Sequence, residues 1–342
     1  MIRVLILLLL PLAAQADTIR IATFNTELSR KGPGLLLRDI QRNDEQVQAV
    51  VTVLTEVHPD IVALQGIDWD MDGRTLTALA DLLRDKGLDY PHLYSTRPNS
   101  GLHSGFDLDG DGRVQGPGDA QGWGLYTGHQ GLAVLSRFDI RHSEVRDFSG
   151  LLWQDLPGAE LPVVDGTPFP SLNAQAHQRL SSTGHWIVPI DTPIGQIDLM
   201  TFHASPPVFD GAEDRNGLRN RDEIRLWQVV MDGGLGSAGT GAFVIAGDAN
   251  LDPVRGDGRK EAVQNLLADP RLQDPEPKDP AGRQHTVEWE SAGQMRVDYV
   301  LPSADLAIVD SGVFWPQDGS DLQTIARQAS RHRLVWVDVS AQ

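Results

Sequence analysis

The sequence predicts an α/β chain folded as one mixed-sheet layered domain, and three observations predict it. Short apolar runs rich in β-branched residues recur between amphipathic helical segments. The spacings between runs include both hairpin-length and crossover-length connections, so antiparallel and parallel neighbours are both expected. Several runs also stop abruptly at an acid, an amide or a histidine, as strand ends that carry a site do in α/β sheets.

Composition supports such a core. The chain has 342 residues, 40% of them hydrophobic, which argues against disorder. Its formal net charge is −18, from 47 acidic against 29 basic residues. That disfavours broad binding to nucleic acid or anionic lipid, which needs a basic footprint. A phosphate-bearing substrate stays compatible, because bound cations can invert the local field. There is no cysteine, so the fold stands on its core without disulfides. Met1–Ala16 reads as an export signal: Arg3 is the positive start, Val4–Leu12 the apolar core and Ala14-Gln15-Ala16 the cleavage site. The expected mature chain is a single domain over 17–342, secreted or periplasmic, with no membrane span and no inferable protein partner.

The elements follow in order. Thr18–Phe24 alternates apolar and polar residues and delivers Asn25 and Glu27 to a loop. Asn43–Val57 is a helix with Asn43 or Asp44 as cap, stopped by Pro59. Asp60–Gln65 is a strand, with Gly66–Asp70 as its outgoing loop. Arg74–Lys86 is an amphipathic helix ended by Gly87. A loop insertion spans about 97–130, without periodicity. Inside it, Asp107, Asp109 and Asp111 alternate and Gly112 takes the sixth place, as in the first half of an EF-hand calcium loop. The twelfth place is Gly118 with Asp119 beside it; the alternative is an exposed Asp/Gly turn. Gly131–Ser136 is a strand, and 148–180 is a second insertion. Trp186–Pro189 and Ile197–Phe202 form a hairpin ending in His203. Gly217–Asp232 is helical. Ala242–Ala246 is a buried strand whose end presents Asp248 and Asn250. Lys260–Ala268 is a short helix, Arg296–Leu301 a strand containing Asp298, and Leu306–Val313 another strand. His332 stands just before the last strand, Leu334–Val339.

Two histidines with several acids and amides at strand ends suit metal-assisted phosphoester hydrolysis. The pieces TFN (23–25), PDIVALQ (59–65), TFHASP (201–206), GDAN (247–250), RVDYVL (296–301) and SRHRLV (330–335) resemble, in order, motifs of the endonuclease/exonuclease/phosphatase superfamily. The resemblance spans nearly all of the mature chain. It implies a deoxyribonuclease I-like fold: a four-layer sandwich of two packed mixed β-sheets flanked by helices, with the site where the sheets meet at one end. It implies that His332, paired with Asp298, is a base or phosphate contact, and that His203 is a phosphate contact or general acid. By the same resemblance Asp248 would orient the water or stabilise the leaving group, Asn250 would hydrogen-bond a phosphate oxygen, Asn25 would sit in the metal and phosphate shell, and Glu27 matches a position that carries an acidic metal ligand in part of the family. A divalent metal, Mg2+ or Mn2+, is the implied cofactor, and a structural Ca2+ belongs to the Asp107, Asp109, Asp111 and Asp119 loop.

Two departures stand out. The family places its main metal-binding glutamate after PDIVALQ, where this chain has Gly66; it has Asp before the last histidine, where this chain has Arg331. Glu27, Asp68 or Asp70 could compensate as metal ligands, and Arg331 could bind phosphate through its planar fork. The expected function is exported, metal-dependent phosphoester hydrolysis on a small-molecule, lipid-headgroup or nucleic-acid substrate. The alternative is a catalytically impaired relative that binds phosphate or calcium.

Overall fold

The computed structural model describes residues 17–236 and 241–342; the expected export signal lies outside them. β1 (Ile19–Asn25) sets the plan, because both of its faces are buried. Ile19 and Ile21 face one side, while Ala22 and Phe24 face the other, all at most 2% exposed. A strand buried on both faces needs layers on both sides.

β1 sits inside a six-stranded mixed sheet with β2 (Ile61–Ile67), β3 (His92–Tyr94), β4 (Gly131–Ser136), β10 (Leu306–Val313) and β11 (Val335–Ala341), in the order β10-β11-β1-β2-β4-β3. The second large sheet contains β5 (Asp139–Ile140), β6 (His185–Thr192), β7 (Gly195–His203), β8 (Ala242–Asp248) and β9 (Asp298–Pro302), in the order β9-β8-β7-β6-β5, and the short strand Arg146–Asp147 also pairs with β6. β1 and β2 run parallel, as do β7 and β8; the other main pairings are antiparallel.

The inner faces meet in one apolar layer that includes Ile21, Val134, Trp186, Leu199, Val244 and Val337. The outer face of the first sheet packs on α1 (Leu35–Gln41), α2 (Glu45–Val57), α3 (Arg74–Asp85) and α7 (Asp321–Ala329) through residues such as Phe24, Leu64, Leu54 and Leu79. The outer face of the second packs on α5 (Arg215–Met231) and α6 (Glu261–Leu267) through Phe202, Ile245, Trp227 and Leu266. The fold is therefore the expected sandwich. No helix among the described residues is long and apolar enough to cross a membrane.

Local chemistry explains most boundaries. Asp44 caps α2 by accepting from the amides of Gln46 and Val47, a contact worth about 1 kcal/mol. Gly87, at φ +90°, closes α3 with its amide on Arg84 and the Leu88 amide on Leu83. Several features differ from the sequence reading. β2 continues through Gly66 to Ile67, with a bulge between Gln65 and Ile67. Asp298 opens its strand, because the Val297 and Asp298 amides donate to Thr286 Oγ1. α1 and α7 were not anticipated; α7 buries only Gln323, Ala326 and Ala329, a weak apolar signal.

The insertions are irregular as expected. The first contains no helix beyond the single 3-10 turn Pro117–Asp119, and the second holds the one-turn α4 (Leu172–Gln175) and the hairpin Val163–Val164/Thr167–Pro168. Buried Asn99 braces them together by donating to the carbonyls of Ser149 and Ser181.

Candidate active site

Strand register assembles the site. His203 at the end of β7 is the register partner of Asp248 on β8, and Asp248 is the partner of Asp298 on β9. Three chemical groups thus stand side by side at one end of the second sheet. Asn25, at the end of β1, reaches across from the first sheet and donates from Nδ2 to Asp248 Oδ2 at 2.9 Å. His203 Nε2 lies 3.4 Å from the same oxygen. His332, on the loop before β11, places Nδ1 3.0 and 3.2 Å from the two oxygens of Asp298 and 3.8 Å from Asp248. Asn25, His203 and His332 edge an open basin of about 2040 Å³, walled by both sheets' end loops and by the first insertion, with Asp248 and Asp298 fully buried behind them.

Asn250 stands at the basin wall at φ +50°. Its amide nitrogens are engaged: the backbone N–H donates to Asp248 Oδ1 and Nδ2 to the Ala204 carbonyl. It fastens the loop that carries Asp248, rather than presenting a free donor to phosphate. Asn25 Oδ1 likewise accepts from the Glu27 amide at 3.2 Å.

Charges differ sharply between the two histidines. Burial alone would depress His332, but the attraction of Asp298 and Asp248 and the hydrogen bond to Asp298 overcome it and push the imidazolium up to about 9. His203 is pushed down, burial outweighing the attraction of Asp248, so its ring is neutral near pH 7. Burial and the neighbouring Asp298 raise Asp248, which makes it more basic than an ordinary carboxylate.

The expected metal ligands do not converge. Asp68 accepts from the amides of Arg30 and Gln130 and lines a different cleft. Asp70 caps α3 through the amides of Arg74 and Thr75. Glu27 does line the basin, but its carboxylate is taken: Oε1 accepts from Arg331 Nε at 2.8 Å and from Nη2, and Oε2 from the Arg331 amide and Ser330 Oγ. Burial would raise the Glu27 carboxyl; the Arg331 bonds outweigh it and hold it below the usual range. Gly66 sits at φ +70°, and a Cβ there would lie 2.6 Å from Asn25 Oδ1. A glutamate does not fit at this position, so a divalent ion held as the resemblance implies does not fit either. Asp248, Asp298 and His332 form an acidic cluster with donor atoms within 4.8 Å of one another, of a size that could hold a cation.

In the first insertion, Asp107, Asp109 and Asp119 bring carboxylate oxygens within 4.8 Å of one another. Asp111 is not part of that group; it accepts from the Arg113 amide. Asp119, one place later than the EF-hand pattern asks, turns inward and accepts from the Leu108 amide.

Three supports escaped the sequence reading. Arg333, 2% exposed, stacks on Trp315 at 3.6 Å and donates from Nη1 to the carbonyls of Ser330, Arg331 and His332. The Arg333 amide also bonds Thr286, and the Glu288 amide bonds Arg331, so the histidine loop is stitched to a neighbouring strand. Trp289 meets the His332 ring edge-on, with centroids 5.7 Å apart. Only Arg333, two places from Arg331 in a basic run before a strand, left any signal in sequence.

The sequence and the fold also match known proteins. The model of the Endonuclease/Exonuclease/phosphatase family matches residues 22–332. Among solved structures, an endonuclease/exonuclease/phosphatase from Beutenbergia cavernae superposes with TM-score 0.57 at 19% identity, covering 95% of this chain and 72% of its own. A family protein from Leptotrichia buccalis gives 0.54 at 16%, covering 94% and 99%. Sphingomyelinase C from Streptomyces griseocarneus gives 0.52 at 16%, covering 95% and 100%. At these identities the structural likeness speaks for the fold. A comparison with curated proteins finds no match. With a family model running from β1 to His332 and the same two-sheet architecture in solved relatives, this chain belongs to the endonuclease/exonuclease/phosphatase family.

Proposed function

We propose that this protein is an exported hydrolase of phosphate esters or diesters. One observation carries the reading: two histidines, His332 paired with buried Asp298 and His203 beside buried Asp248, line one basin. Export rests on Met1–Ala16 alone.

The roles follow from the charges. Water attacks phosphorus while the bond to the leaving oxygen breaks. His203, neutral and lining the basin beside the buried Asp248, takes the water's proton. His332 donates its proton to the leaving oxygen from Nε2, since Nδ1 is engaged by Asp298. The expected roles of the histidines are thereby revised: His332, which Asp298 and Asp248 keep charged against the effect of burial, is the acid. Arg331, exposed at the basin wall, holds the phosphate. The strongly acidic chain favours a small substrate over long duplex nucleic acid.

The test is hydrolysis of bis-p-nitrophenyl and p-nitrophenyl phosphate by wild type and His332→Ala. Removing a general acid lowers kcat by about 10²–10⁴-fold; equal rates for the two proteins would overturn the assignment. A second reading, a phosphate-binding module without turnover, draws on the Glu27–Arg331 pair and Gly66. It predicts phosphate binding by a folded protein that hydrolyses no ester.

A further inference from the structure

We infer that Arg331, fastened to Glu27, supplies the cationic charge that holds phosphate in this basin, so that phosphate is bound, and its ester hydrolysed, without a divalent ion. The hydrolytic half rests on the phosphoesterase reading above; the binding half does not.

Three features of the chain carry it. The first is steric. At Gly66 the Asn25 side chain and the Glu27 backbone fill the space of a side chain: an added Cβ would meet Asn25 Oδ1 at 2.6 Å and the Glu27 amide nitrogen at 3.0 Å. No carboxylate reaches the basin from β2. The second is occupancy of donors. Both oxygens of Glu27 are committed to Arg331 and Ser330. Asp248 and Asp298 are fully buried, with their oxygens bonded to Asn25, the Asn250 amide and His332. A hard divalent ion needs several oxygen ligands free to turn toward it, and here they are turned toward protein donors.

The third is the guanidinium itself. Nε and Nη2 share one Glu27 oxygen, which fixes the plane of the group. Nη1 has no hydrogen bond among the described residues, and the side chain is 63% exposed where it lines the basin next to His332. Its backbone is held by Arg333 and by the bridge to residues 286–288, so the fork is pre-positioned. A planar, permanently charged fork suits phosphate oxygens. Glu27, retained at an acidic position, orients this cation in place of ligating another.

The experiment uses the full chain with inorganic phosphate and Mn2+ as probes, neither of which needs turnover. Calorimetric titration with phosphate in EDTA is expected to show binding by wild type, about tenfold or more weaker in Arg331→Ala and intermediate in Arg331→Lys. Binding that requires an added divalent ion, or that Arg331→Ala leaves unchanged, overturns the inference. Mn2+ is expected not to broaden the ring NMR signals of His203 and His332 in wild type, but to do so in Arg331→Ala, where Glu27 is freed. Broadening in wild type overturns it. Ester hydrolysis is expected to agree within about twofold in EDTA and in Mg2+; a drop in EDTA that Mg2+ restores also overturns it. If the folded protein turns over no ester under any condition, the hydrolase reading fails, and the phosphate and Mn2+ titrations still decide the role of Arg331.

Discussion

His332 shows how much chemistry a single contact sets. Its ring is buried, which by itself favours the neutral form, yet two carboxylates keep it charged to about pH 9. Turnover that uses this proton is expected to fall as pH rises through about 9, read from a kcat–pH profile. Asp298→Asn removes the larger attraction, so the alkaline limb is expected to move to lower pH; an unmoved limb would separate Asp298 from the proton donor. The same group links pH to stability. Its folded value lies above the ordinary 6.5. The stabilisation is therefore complete below about 6.5 and is lost as pH rises through about 9. Denaturant unfolding from pH 6 to 10 is expected to show that decline in wild type and to lose it in His332→Gln. Gly66 makes the complementary case. Gly66→Ala brings a Cβ against Asn25 Oδ1 at φ +70°, at a cost of about 1–3 kcal/mol in chemical denaturation.

At the scale of elements, register does what no single side chain can. A one-residue slip between β7 and β8 would turn His203 to the opposite face from Asp248. The polar residues at strand ends could be read in sequence because apolar runs stop there. Their partners could not: the Asp298–His332 pairing came only through the family resemblance, and that Glu27 faces Arg331, about three hundred residues away, depends on sheet order. The first insertion offers its own test. Asp107, Asp109 and Asp119 form an acidic trio in a loop with no strand of its own. If Ca2+ organises this loop, the melting temperature is expected to rise with Ca2+ in wild type and not in Asp107→Asn/Asp109→Asn, by differential scanning calorimetry.

For the whole molecule, two sheets share one apolar layer, and the basin opens where their ends meet. Leu199, fully buried between the sheets, tests that dependence: Leu199→Ala is expected to cost about 2–5 kcal/mol in unfolding free energy. Specific activity of the folded fraction is expected to stay near wild type, because the site residues lie at the strand ends and not in the layer.

The long strands, three of the larger helices and the motif residues were legible in the linear chain, since periodicity, caps and abrupt polar stops are local properties; the short strands β3 and β5 were not. The family resemblance added the sandwich and the general place of the site. Long-range pairing decided the rest. Asp68, two residues past Gly66, was an expected ligand until β2 ran on through a bulge and turned it toward the Arg30 and Gln130 amides. Glu27 was an expected ligand until the close of the fold brought Arg331 onto both of its oxygens. A residue's type limits what it can bind, but which groups compete for its lone pairs is fixed only when distant segments come within hydrogen-bonding distance, and that competition is tertiary.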